Sequence, residues 1–351
     1  MPPPPVLPHR LVGGVVAHNE EGHIGRSLRS LLSQTLPSGI AWDTIWVVAS
    51  GCTDRTVEEA QEVAASDPRI KVLVEPDRRG KAAALAEVLA RADGRWLVLL
   101  NGDAYAELGA VAALLESSRG LSPPFGVMGR PCVPKEVSGL LGKSLTCLWE
   151  LHDKLHRRLL GSGRGTHLSD ELLLLSTDPR PPLRAGVIND GAFVGAWLTQ
   201  AGGKLVYASE ARVKLEVPGS WGGLVRQRRR IHVGHVQVRE RTGVSPTTIG
   251  ELSKRHPGEA VALVLEVVRD TPGSTVAMLA LLVGEVVATG LATVDRWIPG
   301  RDHVRWERVR ARGSGQSAGT STLPRFPYGK EPALSESARA SVSSSATALG
   351  Q

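Results

Sequence analysis

The sequence predicts an α/β fold: a mostly parallel, Rossmann-like sheet with helices on both faces, followed by C-terminal helices. Three observations carry this. Short apolar runs alternate with segments whose apolar residues recur at helical spacing. Four such β–α units fit into the first hundred residues, the mark of a parallel sheet with covering helices. Finally, Trp96–Leu100 is continuously apolar, as a strand buried on both faces should be.

Taken in order, Leu11–Ala17 is the first strand, and Ile24, Leu28, Leu31 and Leu32 mark the first helix. Thr44–Ala49, rich in Val, Ile and Trp, is the second strand, with Val57, Ala60, Ala64 and Ala65 on the helix behind it. Ile70–Val74 and Lys81–Arg91 form the third unit, and Trp96–Leu100 the fourth strand. Ala260–Val268 and Val276–Val294 are apolar helical segments separated by Asp270-Thr271-Pro272-Gly273-Ser274, a helix stop and restart. Residues 1–10 are Pro-rich, and 313–351 are rich in Ser, Gly, Ala and Thr; a tail of that composition buries too little to offset its ordering entropy and is expected to be disordered. The division is therefore 1–10, a sheet domain over 11–240, a helical and membrane-associated region over 241–312, and the tail 313–351.

Of the 351 residues, 42% are hydrophobic and 22% charged, which supports a sizeable core and excludes global disorder. Lys and Arg exceed Asp and Glu by 42 to 35, a net charge of +7. That balance permits nucleic acid, anionic lipid or a phosphorylated substrate and does not choose among them. Cys52, Cys132 and Cys147 form no CxxC pair, so neither a disulfide scaffold nor a cysteine zinc site is expected, and a reducing, cytoplasmic setting fits. The opening Met-Pro-Pro-Pro-Pro lacks the basic-then-apolar pattern of a signal peptide.

Ligands of such sheets sit beyond the carboxyl ends of the strands. Those ends carry His18-Asn19-Glu20-Glu21, Ser50-Gly51-Cys52-Thr53-Asp54, Arg78-Arg79-Gly80-Lys81 and Asn101-Gly102-Asp103. Each has a bland role: Asn19 and Asp54 as helix caps, Gly80 as a turn residue. Four together on one edge favour a site. Lys81 brings positive charge to a helix start, where anions are already favoured. Asp103 ends a buried strand and can hold a divalent cation, which would neutralise a pyrophosphate. The chemistry this suits is a nucleoside diphosphate. Neither Gly-x-x-x-x-Gly-Lys-Ser/Thr nor Gly-x-Gly-x-x-Gly follows the first strand, which disfavours a P-loop NTPase and a dinucleotide-binding domain.

Val15–Glu20, Val47–Asp54, Gly80–Leu85 and Leu99–Ala104 resemble, in order, the successive motifs of family 2 glycosyltransferases. Ile188–Phe193 stands where that family has its Glu-Asp pair, and Gln227-Arg228-Arg229-Arg230-Ile231 is similar to its Gln-x-x-Arg-Trp segment. The resemblance spans about 11–240. It implies a GT-A fold and transfer of a sugar from a nucleotide donor with inversion, to a glycan or lipid-linked acceptor in cell-surface synthesis. It implies Asp190 as the base, His18, Asn19, Glu20, Ser50, Lys81, Asn101 and Asp103 around the nucleotide sugar, Gln227 and Arg230 at the diphosphate and acceptor, and Mg²⁺ or Mn²⁺ on Asp103. The chain departs from the pattern in three places. Ala49-Ser50 replaces the Asp-Asp that contacts uracil, which puts a uridine donor in doubt. Asn101 replaces the first acid of Asp-x-Asp, and Asn189 the Glu before Asp190.

The amphipathic, basic segment Val137–Leu160 suits either a membrane interface or a helix packed on the sheet. Val276–Val294 approaches the ~20 residues needed to span a bilayer, but Glu285 at its centre is costly in lipid. An interfacial or re-entrant pair on the inner face of the membrane is therefore expected, with the basic stretch Arg296–Arg312 beside it. Two rival readings stand. Asn101, Asn189 and Ser50 are what a catalytically weakened scaffold of the same fold would show. The arginines of Arg226–Arg241 could instead bind nucleic acid, although no nucleic-acid motif accompanies them.

Overall fold

The computed structural model describes residues 10–92, 96–134, 137–295, 297–298 and 303–304. The expectations for 1–9, for most of Arg296–Arg312 and for the tail 313–351 lie outside the described residues.

The predicted units form as read. Strands β1 (Arg10–Ala17), β2 (Ala41–Ser50), β3 (Ile70–Glu75) and β4 (Trp96–Asn101) alternate with helices α1 (Ile24–Leu32), α2 (Thr56–Ser66) and α3 (Lys81–Ala92). They are followed by β5 (Ala104–Ala106), α4 (Ala110–Ser117), β6 (Phe125–Cys132), α5 (Gly139–Gly161), β7 (Leu172–Ser176), α6 (Asp190–Gln200), β8 (Lys204–Leu215) and α7 (Trp221–Thr242). Helices α8 (Ile249–Arg255), α9 (Pro257–Asp270) and α10 (Thr275–Asp295) complete the described fold. The eight strands make one mostly parallel sheet in the order β3-β2-β1-β4-β7-β6-β8-β5. Strand β7 runs antiparallel to both neighbours.

Alternation along the strands divides the core between the two faces. Val98 and Leu100 of β4, with Leu172 and Leu174 of β7, pack towards α1 residues Ile24, Leu28 and Leu31. Leu97 and Leu99, with Leu173 and Leu175, pack towards α3 residues Leu85, Val88 and Leu89. A strand flanked on both faces has to be apolar at every position, which is why these runs are unbroken.

Register places the strand ends together. Val16 pairs with Asn101, Ala17 with Ala49, and Ser50 with Glu75, so the loops after β1, β2, β3 and β4 open on one edge. Two glycines let these loops close up. Gly51 has φ +58°, and a Cβ there would stand 2.6 Å from the Arg78 nitrogen. At Gly102 a Cβ would meet the Val16 carbonyl at 3.0 Å and the Glu20 side chain at 3.2 Å.

The helices beyond the sheet make a third core. Leu151, Leu155 and Leu159 of α5 bury against Leu263 and Val267 of α9 and Met278 and Leu281 of α10. Of the two roles read for Val137–Leu160, the packed helix is the one formed. Its basic face pairs within the protein: Lys154 with Glu266 and Asp270, Arg158 with Glu266, and Arg157 with Asp153. The boundary expected at 240 falls inside α7, because that helix continues to Thr242 and supports α10 through ion pairs between their side chains.

Candidate active site

The cleft at the strand edge is lined by Gly14, Val16, Lys81, Asn101, Asp170 and Asp190, among others. Asp190 is the first residue of α6 and is only 3% exposed. Its helix is capped by Asn189, whose side-chain oxygen accepts the Ala192 N–H at 3.0 Å. The cap of this helix is therefore Asn189 and not Asp190. The Asn that replaces the family's Glu serves the helix, and the carboxylate is left for the cleft.

Lys81 opens α3 and reaches across to two carboxylates. It ion-pairs with Asp170, and its Nζ lies 3.3 Å from Asp190 Oδ2. Burial disfavours the ammonium, but the charges of Asp170 and Asp190 outweigh that cost and hold it protonated. Asp190 is shifted the other way: burial first, then the negative charge of Asp170, raise its pKa against the opposing pull of Lys81. For Asp170, Lys81 overcomes burial and holds the carboxyl low. Glu171 next to it is raised by burial and by Asp170, and accepts a hydrogen bond from Ser169.

Asp170 and Glu171 are site residues that sequence reading missed. The four parallel strands bring their C-terminal ends to this edge, so sequence reading looks for ligands in the loop after each strand. Strand β7 is antiparallel to β4, and its beginning arrives there instead. Leu172 pairs with Leu100, and the Asn101 N–H donates to the Glu171 carbonyl at 3.3 Å. An acidic pair just before the all-leucine run Leu172–Leu175 was the available signal.

The loop residues after β1 are half-buried and engaged with the loop after β2. The His18 Nδ1 lies 2.7 Å from the Ser50 carbonyl. Asn19, at φ 54°, accepts the Thr53 N–H at 2.8 Å. The Glu20 N–H donates to Thr56 Oγ1 at 2.6 Å. Ser50 departs from expectation. It is buried, and its hydroxyl donates to Glu75 Oε2 at 2.7 Å, turning towards β3 and away from the cleft. The physical reason is register: Ser50 and Glu75 are paired residues of adjacent strands.

Asn101 lines the cleft, while Asp103 sits two residues on, in the turn between β4 and β5. Among the described residues no three His, Cys, Asp or Glu side chains converge as a ligand set. The carboxylate of Asp103 and the amide oxygen of Asn101 are oxygen donors of the type a hard cation accepts when substrate phosphates and water supply the remainder.

On α7, Gln227 is half-buried, one turn before Arg230. The Arg230 guanidinium donates to the Ile188 carbonyl at 2.8 Å and to the His303 carbonyl at 3.1 Å. It thus holds the backbone just ahead of Asp190. Arg228 donates to Glu285 at 2.5 Å, and Arg229 pairs with Asp295. These pairs weigh against the nucleic-acid reading, since three consecutive arginines of the basic stretch are engaged inside the molecule, while Arg226, Arg239 and Arg241 are exposed. They also account for Glu285, which faces α7, where Arg228 and His232 meet it.

Residues 14–120 match the sequence profile of glycosyl transferase family 2. A mannosyltransferase, PcManGT from Pyrobaculum calidifontis, solved with GDP-Man and Mn²⁺, shares 19% identity and a TM-score of 0.50, over 83% of this chain and 81% of its own. TarS 1–349 from S. aureus, solved with UDP-GlcNAc, shares 12% identity at a TM-score of 0.44, over 82% of this chain and 91% of its own. No curated protein matches the chain significantly. The chain has the GT-A fold, and its residues 14–120 are similar to glycosyl transferase family 2. That match lies within the 11–240 span of the resemblance read from the motifs.

Proposed function

We propose that this enzyme moves a sugar from a nucleoside-diphosphate donor to an acceptor hydroxyl with inversion, using Asp190 as general base. The observation that carries this reading is the buried Asp190 carboxylate, set beside Lys81 in a cleft lined by Asn101 at the ligand edge of the sheet. In such a transfer the acceptor oxygen attacks the anomeric carbon, its proton passes to the Asp190 carboxylate, and the bond to the diphosphate oxygen breaks with its electron pair leaving on the diphosphate. A raised carboxyl pKa makes Asp190 a stronger base than an exposed aspartate, with an unperturbed pKa of ~3.9. His18, Asn19 and Glu20 frame the nucleotide side, and Gln227 and Arg230 support the diphosphate and acceptor side through α7. Asp103, with Asn101, would hold a divalent cation, Mg²⁺ or Mn²⁺, which stabilises a departing diphosphate by its charge. Donor turnover measured across UDP-, GDP- and TDP-sugars tests the reading, and absence of turnover with every donor would refute it.

Calorimetric titration of the donor with and without Mn²⁺ tests the cation site. Asp103→Ala is expected to abolish the metal-dependent part of donor affinity, and Asn101→Ala to weaken it less, because a carboxylate is the better ligand for a hard cation. Unchanged affinity in Asp103→Ala would remove that site.

The acceptor is assigned to a glycan or lipid carrier at the inner membrane surface, from the outer face of the C-terminal helices. Helix α10 is long and apolar enough to cross a bilayer, yet Ala277, Met278, Leu281, Ala288 and Ala292 are buried against the protein. Its opposite face exposes Val276, Leu279, Val283, Val286 (74%) and Val294, followed by Trp297 (83%) and joined by Val261 and Leu265 of α9. An apolar stripe of that extent, ending in a tryptophan, suits a helix lying in the interface. Substituting both Val283 and Val286 with Asp is expected to abolish co-sedimentation with phosphatidylglycerol vesicles while leaving the fold intact, since neither side chain is in the core. Wild-type sedimentation of the double variant would exclude this face.

A further inference from the structure

Asp170 stands in the cleft at a place that no motif of the chain marks, and its position relative to Lys81 and Asp190 gives it work to do. The three groups come from three segments: the first residue of α3, the approach to β7, and the first residue of α6. The ammonium lies between the two carboxylates and makes its closer contact with Asp170. Asp190 Oδ2 is within ion-pair range of Lys81 but outside hydrogen-bond alignment, and the Asp170 and Asp190 carboxyls also interact directly with each other. Asp170 is itself mostly buried, at 24% side-chain exposure.

Resting on the reading of Asp190 as base, we propose that Asp170 is a positioning residue that engages Lys81, so that the ammonium steers Asp190 without becoming its sole counter-ion. The physical argument is one of sharing. A lysine paired with Asp190 alone would stabilise the ionised carboxylate and weaken it as a proton acceptor. A second carboxylate draws the ammonium aside and adds a like charge next to Asp190. Both effects favour proton uptake from the acceptor hydroxyl. The other charged groups of the cluster are Arg230 on α7, which interacts with both Asp190 and Asp170 while its guanidinium is tied to backbone carbonyls, and Glu171, which interacts with Asp170 and Lys81. Glu171 is raised by burial and by Asp170, so around neutrality it carries less charge than Asp170 does.

Opposite charges must move the base in opposite directions. The test is the pH profile of kcat/KM for the full chain, with whichever nucleotide sugar gives measurable turnover, because its acidic limb reports the base in the free enzyme. Asp170→Asn is expected to move that limb to lower pH by about one unit and to reduce turnover near neutrality roughly tenfold, one unit being a tenfold change in equilibrium. Lys81→Met is expected to move it to higher pH. A merely structural role would lower the rate and leave the limb in place. Asp170→Glu, which keeps the charge, should restore the limb towards wild type. Limbs that stay fixed, or that move the same way in both variants, overturn the proposal. Should Asp170→Asn fail to fold, Asp170→Ser makes the same charge change and Lys81→Met reports independently. Asp190→Asn is measured alongside. Full activity there refutes the base assignment itself, whereas an inactive Asp190→Asn with unmoved limbs overturns only the role of Asp170.

Discussion

Asp190→Asn is expected to lower sugar transfer by ~10²-fold or more, the usual scale of a general-base contribution, while the chain stays folded and binds its donor. Three features of the site make this substitution discriminating. The helix it begins is capped by Asn189, so the change leaves the cap intact. The amide is nearly isosteric with the carboxylate, so packing around this buried position is kept. Lys81 retains Asp170 as an ion-pair partner, so no ammonium is stranded. What is lost is the ability to accept a proton. Transfer assays together with donor calorimetry separate the possible outcomes. A variant transferring at near wild-type rate would remove Asp190 from the mechanism, and loss of donor affinity would move it to the nucleotide side.

The second large effect concerns acid. Four histidines form a chain between α5, α7 and the segment that joins α5 to β7. His152 and His156 stack at 4.0 Å between ring centroids, His156 and His167 lie 5.7 Å apart, and His167 and His235 lie 5.2 Å apart. His156 Nδ1 lies 2.8 Å from the His152 carbonyl, while its Nε2 is buried without a partner. His152 Nδ1, His167 Nδ1 and His235 Nε2 are likewise enclosed and unpartnered. Burial holds all four rings neutral and pushes their pKa down, to about 4 for His156 and about 3 for His167.

In the unfolded chain each of these rings titrates near ~6.5. Between that value and the lower folded one, the unfolded state binds more protons, so stability falls as pH falls. For His156 alone the loss by pH 5 is roughly 2 kcal/mol, at ~1.4 kcal/mol per unit, and the other three add to it. The raised carboxyls of Asp190 and Glu171 act in the opposite sense, which makes a difference measurement the right one. The urea midpoint of the wild type should fall from pH 7 to pH 5 more steeply than that of a His156→Gln, His167→Gln variant. Parallel slopes would show that the rings are already charged or already exposed.

Much of the catalytic edge was legible in the sequence because it derives from periodicity. Unbroken apolar runs identify strands covered on both faces, and polar residues directly after them fall on one edge whatever the detailed packing. Asn101 and Lys81 reached the cleft for that reason. Asp170 did not announce itself, because strand direction is invisible in a run such as Leu172–Leu175, and an antiparallel strand exchanges which of its ends is chemically relevant. Ser50 was misplaced by the same blindness to neighbours. A residue one position before the loop points according to its cross-strand partner, and Glu75 was not identifiable as that partner until register was known. The arginines of α7 read as a surface stripe because their acidic partners, Glu285 and Asp295, lie more than fifty residues away in the chain.

Those two acids stand ten positions apart on α10 (295−285), which is about 15 Å of helix, and each is matched to one of two adjacent arginines on α7. Apolar packing alone tolerates sliding, since one valine or alanine fills a groove much like the next. Two charge pairs spaced in this way act as a key with two teeth. Shifting α10 by a single residue turns it by about 100° and unseats both, leaving half-buried charges unmatched at high cost. Which side of α10 faces outward is therefore fixed by ionic indexing rather than by its hydrophobicity, and a helix rich in interchangeable aliphatics is given one orientation.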